Sequence, residues 1–135
     1  TGDAGHTFQL GQSLDQNTLA LVGNERLLLQ TLEAGGSGCI TAMANLQAQT
    51  LRDIWDSFQS GKSASENQED ISTLNDVLAN YRPYPAAIKT LLHHMHGFPE
   101  WSVRLPLTPL PTEMVDMLIS QFSALIDDKK DLATV

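Results

Sequence analysis

The sequence predicts an α/β fold in which short parallel strands alternate with helices. Two apolar segments, Leu19–Val22 and Gly38–Ala42, are short and bounded by polar residues, which is typical of strands buried on both faces of a parallel sheet. A helical pattern lies between them, and a polar turn follows each. Because turns after parallel strands gather at the ligand-binding face of barrels and doubly wound folds, Gly23–Glu25 and Thr41–Ala42 are candidate binding loops.

The composition is that of a single soluble domain. The chain has 135 residues, of which 41% are hydrophobic and 18% charged. A net charge of -8 disfavours nucleic acid and anionic membranes as partners. No apolar run approaches the roughly 20 residues that cross a bilayer, and the first residues lack the features of a signal peptide. We therefore expect a cytoplasmic protein, in which the single cysteine, Cys39, is a small buried apolar residue.

The first half of the chain carries clear helix signals. Asp3 is suited to cap a short first helix, and Asn24 to cap the helix between the two strands. Gly35 is suited to the left-handed conformation that ends the helix between the strands. Gly11 weakens the first helix, because glycine is a poor helix former. The apolar positions of these two helices are Phe8, Leu10 and Leu14, and then Leu27, Leu28, Thr31 and Leu32.

Four further helices follow without a convincing strand among them. The first carries one apolar stripe and ends at Gly61. Ser65 and Gln68 have the spacing of a capping box at the start of the second. Pro85 suits the first turn of the third helix. Gly97 is expected to end that helix, and Thr112 to begin the last one after a proline-rich crossing.

Two short strands are too few for a stable sheet. Isolated two-stranded sheets are marginal in water, and unpaired strand edges need partners. We therefore expect this chain to be one part of a larger sheet or barrel. Residues before Thr1, or another chain, would complete it.

Three segments resemble one enzyme family in order and spacing: GNERLLLQTLEAGGSGCITAMAN, YPAAIKTLLHHMHG and RLPLTPL. They resemble the C-terminal half of the dihydrodipicolinate synthase and N-acetylneuraminate lyase family, from Thr1 to about Ile126. The resemblance implies the C-terminal part of a (β/α)8 TIM barrel, about strands 6 to 8, followed by extra C-terminal helices.

The resemblance also implies an assignment of the barrel elements. Leu19–Val22 would be the sixth strand and Gly38–Thr41 the seventh. A short eighth strand would lie between Tyr81 and Pro85. Residues 1–81 would then form βα units of the half-barrel, and residues 82–135 the last barrel segment and the C-terminal helical extension.

Enzymes of this family are class I aldolases and lyases. They use a lysine that forms a Schiff base with pyruvate or another 2-oxo acid, and the iminium stabilises a neighbouring carbanion. The resemblance places that lysine just upstream of Thr1, so this chain alone is expected to be inactive. It implies no cofactor, a partner in the missing N-terminal half of the barrel, and a homo-oligomer, either a dimer or a tetramer.

The resemblance assigns substrate-binding positions to both loops. They are Gly23, Asn24 and Glu25 in the first loop, and Ile40, Thr41 and Ala42 in the second. The first loop would face the variable end of the substrate and fits a sugar acid slightly better than an amino-acid aldehyde. The main chain of Ile40 would lie close to the reactive lysine. Taken alone, the residues also allow a purely structural role, with Asn24 and Glu25 serving only the helix start.

Other motifs favour structural roles. The glycine loop 35–38 predicts a helix end and tight return rather than a phosphate site, because no helix starts directly after it. Lys89 is expected to be solvated, not the Schiff-base lysine, and Trp55 and Trp101 are expected to be packing anchors. The position of His93, His94 and His96 near a helix C-terminus favours exposed histidines over a metal site.

A non-catalytic helical scaffold is the alternative interpretation. Five or so amphipathic helices could pack on one another without any missing half. This alternative does not account for the two segments that read as buried strands.

Overall fold

Six α-helices and two short strands make up the computed structural model, which describes residues 3–13, 15 and 17–132. None of the helices in these ranges is long and apolar enough to span a membrane. The chain divides into two compact units, residues 1–72 and 73–135. The elements are α1 (Ala4–Ser13), β1 (Leu21–Val22), a 3-10 turn (Glu25–Leu27), α2 (Leu28–Glu33), β2 (Gly38–Cys39), α3 (Ala44–Gln59), α4 (Ser65–Ala79), α5 (Tyr84–His96) and α6 (Thr112–Leu132).

The two strands pair in parallel, as the βα pattern predicts. Leu21 lies opposite Gly38, and Val22 lies opposite Cys39. Both strands are two residues long, so the predicted spans Leu19–Val22 and Gly38–Ala42 are too long. The pairing nevertheless confirms a parallel βα unit.

The expectation that these strands are buried on both faces is wrong for this chain. The Val22 side chain is only 6% exposed, and α2 contacts β1. Leu21, which points to the other face, is 49% exposed, and its neighbours Leu19 and Ile40 are 77% and 72% exposed. Helix α2 therefore covers one face of the sheet, and the other face is left open by the described residues.

Helix α1 confirms the predicted cap. The Asp3 carboxylate accepts a hydrogen bond from the backbone N–H of His6 at 2.7 Å. Gly11 is a poor helix former, but close packing explains a glycine at this position, because a Cβ there would lie 2.6 Å from the carbonyl oxygen of Ala34. Phe8 and Leu10 are exposed, and Leu14 lies outside the described residues.

The predicted capping box of α4 is wrong. Ser65 is the first helical residue, and the backbone N–H of Gln68 donates to the carbonyl of Ala64. The Gln68 side chain instead reaches the 3-10 turn and α2, where it bonds the backbone of Glu25 and Leu29. A tertiary contact that satisfies two backbone groups has replaced the local cap. The buried apolar residues of the first unit are Val22, Leu28, Leu32, Met43, Leu46, Leu51, Ile54, Ala64 and Ile71.

The second unit contains no eighth strand at the predicted position. Residues 81–83 form a bend, and α5 begins at Tyr84. Pro83 and Pro85 have no N–H to donate to a strand ladder, and Pro85 favours the first helical turn. Gly97 ends α5 in the left-handed conformation, with φ 65°, as predicted. The buried apolar residues of this unit are Leu74, Leu78, Tyr81, Ala86, Ala87, Ile88, Leu91, Leu92, Leu110, Leu118 and Phe122.

Candidate functional site

The carboxyl ends of β1 and β2 lie side by side. The backbone N–H of Ile40 donates to the carbonyl of Val22 at 3.0 Å, directly after the paired residues. The chain then leaves β1 through Gly23 and leaves β2 through Ile40 and Thr41. The parallel register thus brings both predicted loops to one edge of the sheet.

Asn24 is a helix cap, as its residue type predicts. Its backbone is extended, and its side-chain oxygen accepts a hydrogen bond from the N–H of Arg26 at 3.1 Å. The helix that it begins is a 3-10 turn that continues into α2. The preceding Gly23 is exposed, and a Cβ built there would meet nothing within 4 Å. The Gly23 backbone is therefore open on its outer side.

Glu25 is a buried charged residue in the first turn after this cap. Only 5% of its surface is exposed, which is rare for a glutamate. Its backbone carbonyl accepts a hydrogen bond from the Gln68 side chain at 3.0 Å. Its negative charge also acts on Cys39 of the neighbouring strand. The position links the two loops electrostatically.

The second loop presents main-chain and hydroxyl groups. No group among the described residues donates a hydrogen bond to the carbonyl of Ile40. The hydroxyl oxygen of Thr41 is buried and has no hydrogen-bond partner within the described part of the chain. Ala42, by contrast, begins the turn into α3, since its carbonyl accepts from the backbone N–H of Asn45 at 3.1 Å and from the Asn45 side chain at 3.0 Å.

Cys39 is a half-buried free thiol between these groups. Burial raises the pKa of the Cys39 thiol, and the nearby Glu25 carboxylate raises it further. The Thr41 hydroxyl opposes this pKa shift slightly, although it makes no hydrogen bond of normal geometry. A thiol in this environment is protonated at neutral pH and is a poor nucleophile.

The other sequence motifs form a helix end and exposed helix surface. Gly35 has φ +91° and ends α2, and no helix begins before Ala44, which confirms a helix end and return. The histidines of α5 are exposed, as predicted, and His93 makes a hydrogen bond with the carbonyl of Phe98 at 2.6 Å. Within the described ranges, no group of three or more His, Cys, Asp or Glu side chains could hold a metal ion.

A cavity that the sequence did not reveal lies beside β1. It has a volume of about 100 Å³ and is lined by residues 20–23 of the β1 segment, by α1 residues such as Leu10, and by Thr31 of α2. The Thr31 hydroxyl is buried and makes no hydrogen bond within the described part of the chain. A second, wider groove of about 410 Å³ runs along β2 and includes Cys39 and Trp55. Open space therefore flanks both strands.

The family of the chain follows from comparison with known proteins. The profile of the dihydrodipicolinate synthetase family matches residues 1–125. This chain belongs to that family. The 4-hydroxy-tetrahydrodipicolinate synthase of Staphylococcus haemolyticus is 33% identical over 124 residues, which are 90% of this chain and 41% of that protein. The chain thus spans about two fifths of the length of this relative.

Solved structures of the dihydrodipicolinate synthetase family share the fold. The sialic acid aldolase of Ruminococcus gnavus, solved as a catalytic lysine mutant, superposes with a TM-score of 0.85 at 17% identity, covering 97% of this chain and 44% of the aldolase. YagE of E. coli K12, solved in complex with pyruvate, gives a TM-score of 0.83 at 18% identity, with coverage of 93% and 44%. The chain therefore has the fold of part of a TIM barrel.

Proposed function

We propose that this chain forms the C-terminal part of a class I aldolase or lyase that acts on pyruvate or another 2-oxo acid. A lysine on the strand just upstream of Thr1 forms the Schiff base, and this chain supplies the loops around the bound substrate. The iminium withdraws electrons, so a carbon–carbon bond beside it can form or break. The chain by itself is inactive, because the nucleophile lies outside it.

Membership of the dihydrodipicolinate synthetase family is the observation that carries this proposal. The profile match extends over residues 1–125, and the matched relative is a 4-hydroxy-tetrahydrodipicolinate synthase. Two structural neighbours support the chemistry, because one was solved as a catalytic lysine mutant and the other with pyruvate. We extend the lysine and the 2-oxo acid from those proteins to this one.

The second loop fits a role beside the reacting atoms. The Ile40 carbonyl and the Thr41 hydroxyl lie at the carboxyl end of β2, and neither has a hydrogen-bond partner in the described residues. A carbonyl can accept from a protonated amine, and a hydroxyl can both donate and accept. We assign these two groups to the lysine and to the substrate, respectively, with Ala42 fixing the turn that follows.

The first loop fits the variable end of the substrate. The Asn24 oxygen is occupied as a cap, whereas its amide nitrogen makes no hydrogen bond within the described residues and can donate. The open backbone of Gly23 allows close approach of a ligand. Glu25 adds buried negative charge at this loop. Donors and acceptors of this kind suit the hydroxyl groups of a sugar acid.

The open face of the sheet supports the missing half-barrel as the partner. Leu19, Leu21 and Ile40 are large apolar side chains that are between 49% and 77% exposed. In a parallel pair, alternate backbone groups of each strand point away from the partner strand, so both outer edges can accept another strand. The remaining β-strands of the barrel would cover this face and pair with these edges. We expect the completed enzyme to be a homo-oligomer, as the family resemblance implies, and we propose that it is cytoplasmic.

Reductive trapping tests the proposal. The chain and a longer version that includes the upstream half-barrel are each treated with pyruvate and borohydride, which reduces a lysine imine to a stable amine. Mass spectrometry should find one stoichiometric adduct, on a lysine upstream of Thr1, and only in the longer protein. Lys62, Lys89, Lys129 and Lys130 should remain unmodified in both.

Two outcomes would contradict the proposal. A stoichiometric adduct on Lys89 would place the nucleophile in this chain. Failure of the longer protein to form any adduct, although it folds, would remove the Schiff-base mechanism. A Thr41→Val variant of the longer protein provides a matched check, because it should still fold but trap pyruvate more slowly.

A further inference from the structure

A further cavity lies within the second unit. It has a volume of about 210 Å³ and lies between α5, α6 and the connecting segment of residues 100–110. Its apolar lining includes Ala86 and Leu110, which are 5% and 8% exposed, together with Val103 and Val115. Pockets for drug-sized ligands usually measure about 300–1,000 Å³, so this one suits a smaller molecule.

Lys89 holds a positive charge at the rim of this cavity. Its ammonium group donates a hydrogen bond to the backbone carbonyl of Ser102 at 2.6 Å. An ammonium has three donors, so two remain available after this bond. The bond to Ser102 also restricts the flexible side chain, which lowers the entropy lost when a ligand binds.

Glu100 places a negative charge on the same cavity. Glu100 lines the cavity together with Lys89, yet no ion pair joins the two residues. Glu100 also makes no hydrogen bond within the described residues. Two residues of opposite charge thus line one apolar cavity without pairing with each other.

We propose that this cavity binds a small neutral amino acid with an aliphatic side chain. The ligand carboxylate pairs with Lys89, its ammonium group pairs with Glu100, and its side chain contacts the apolar lining. A simple anion would face the Glu100 carboxylate, and a simple cation would face the Lys89 ammonium. A zwitterion satisfies both charges, and its zero net charge avoids repulsion by a chain of net charge -8.

Trp101 provides a local reporter of binding. It lines the cavity, is 47% exposed, and stacks on Phe98 with a centroid distance of 5.5 Å. Trp101 therefore packs against its neighbours with about half of its surface, and the other half stays accessible, so the predicted role as a packing anchor is confirmed only in part. The other tryptophan, Trp55, lies in the first unit and serves as an internal control.

Titration of the complete chain with leucine tests the proposal by NMR. The two indole N–H signals are assigned with a Trp101→Phe variant. Leucine should shift the Trp101 signal saturably and leave the Trp55 signal unchanged. Isocaproate, which lacks the ammonium group, and isoamylamine, which lacks the carboxylate, should each bind about tenfold more weakly, as expected for loss of one charge-assisted hydrogen bond.

A charge-removing variant completes the experiment. Glu100→Gln should weaken leucine binding about tenfold. Glu33→Gln, which removes the same charge from the first unit, should leave binding unchanged. No saturable shift of the Trp101 signal with leucine would overturn the proposal, and so would equal binding of leucine and either analogue. The result does not depend on the aldolase assignment, because no step of the proposed catalysis involves this cavity.

Discussion

The side chain of Gln68 holds the backbone of Glu25 in place across 43 positions of sequence. Its amide nitrogen donates to the Glu25 carbonyl at 3.0 Å, and its amide oxygen accepts from the N–H of Leu29 at 2.9 Å. The Glu25 carbonyl belongs to the first candidate loop, and the Leu29 N–H belongs to α2, which follows that loop. Helix α4 therefore positions this loop through one polar side chain rather than through apolar packing alone.

We expect Gln68→Ala to destabilise the chain by about 1–3 kcal/mol, because a partly buried N–H and a partly buried C=O each lose their partner. Urea unfolding followed by circular dichroism measures this change. Gln49→Ala is the matched control, since Gln49 bonds only Asp53 on the exposed side of α3 and should change stability by less than about 0.5 kcal/mol. Equal effects of the two substitutions would contradict the positioning role of Gln68.

Local signals in the sequence were sufficient for the helix ends. Asp3, Asn24, Gly35, Pro85 and Gly97 each perform the role that their residue type predicts. Such roles depend on backbone geometry and on hydrogen bonds within a few residues, which a short stretch of sequence encodes. The parallel pairing of the two strands followed from the same reasoning combined with their apolar character.

Long-range contacts were beyond the reach of the sequence. Gln68 has the spacing of a local cap, yet its partners lie in a different helix and turn. The apolar pattern predicts that Leu21 and Ile40 are buried strand residues, but both are exposed. Such a pattern indicates which side chains favour burial, and it does not indicate whether this chain itself buries them. Thr31 and Thr41 gave no sign that their hydroxyls would be buried without partners.

Gly36 and Gly23 differ in the space around their Cα atoms, which distinguishes a packing role from an opening for a ligand. A Cβ at Gly36 would collide with the methyl group of Thr31 and lie 2.8 Å from its carbonyl oxygen, whereas a Cβ at Gly23 meets nothing within 4 Å. We expect Gly36→Ala to cost about 1–3 kcal/mol and Gly23→Ala to cost less than about 0.5 kcal/mol. Thermal unfolding of the two variants measures the difference. A large loss of stability in Gly23→Ala would show that its outer side is not open.

The exposed face of the sheet predicts an unusual tolerance of polar substitution. Ile40 is 72% exposed, whereas Ile54 is 0% exposed. In this chain we expect Ile40→Thr to change stability by less than about 0.5 kcal/mol, and Ile54→Thr to cost about 2–4 kcal/mol through a cavity and a buried hydroxyl. Urea unfolding of both variants tests this. If Ile40→Thr costs as much as Ile54→Thr, the face is already covered, and the proposed docking of further strands loses its support.

Cys39 predicts a specific dependence of reactivity and stability on pH. Burial and then the charge of Glu25 raise its pKa above the ordinary 9.0, so alkylation by iodoacetamide should reach half its maximal rate above that pH. Glu25→Gln should lower this midpoint without restoring the ordinary value, since burial remains, and Glu33→Gln should leave it unchanged.

Because the folded pKa is raised, the neutral thiol stabilises the fold fully below the unfolded pKa, and this contribution is lost as pH rises through the folded pKa. Cys39→Ala should remove that part of the alkaline loss of stability, and a midpoint at or below 9.0 in the unmodified chain would contradict the burial of the thiol.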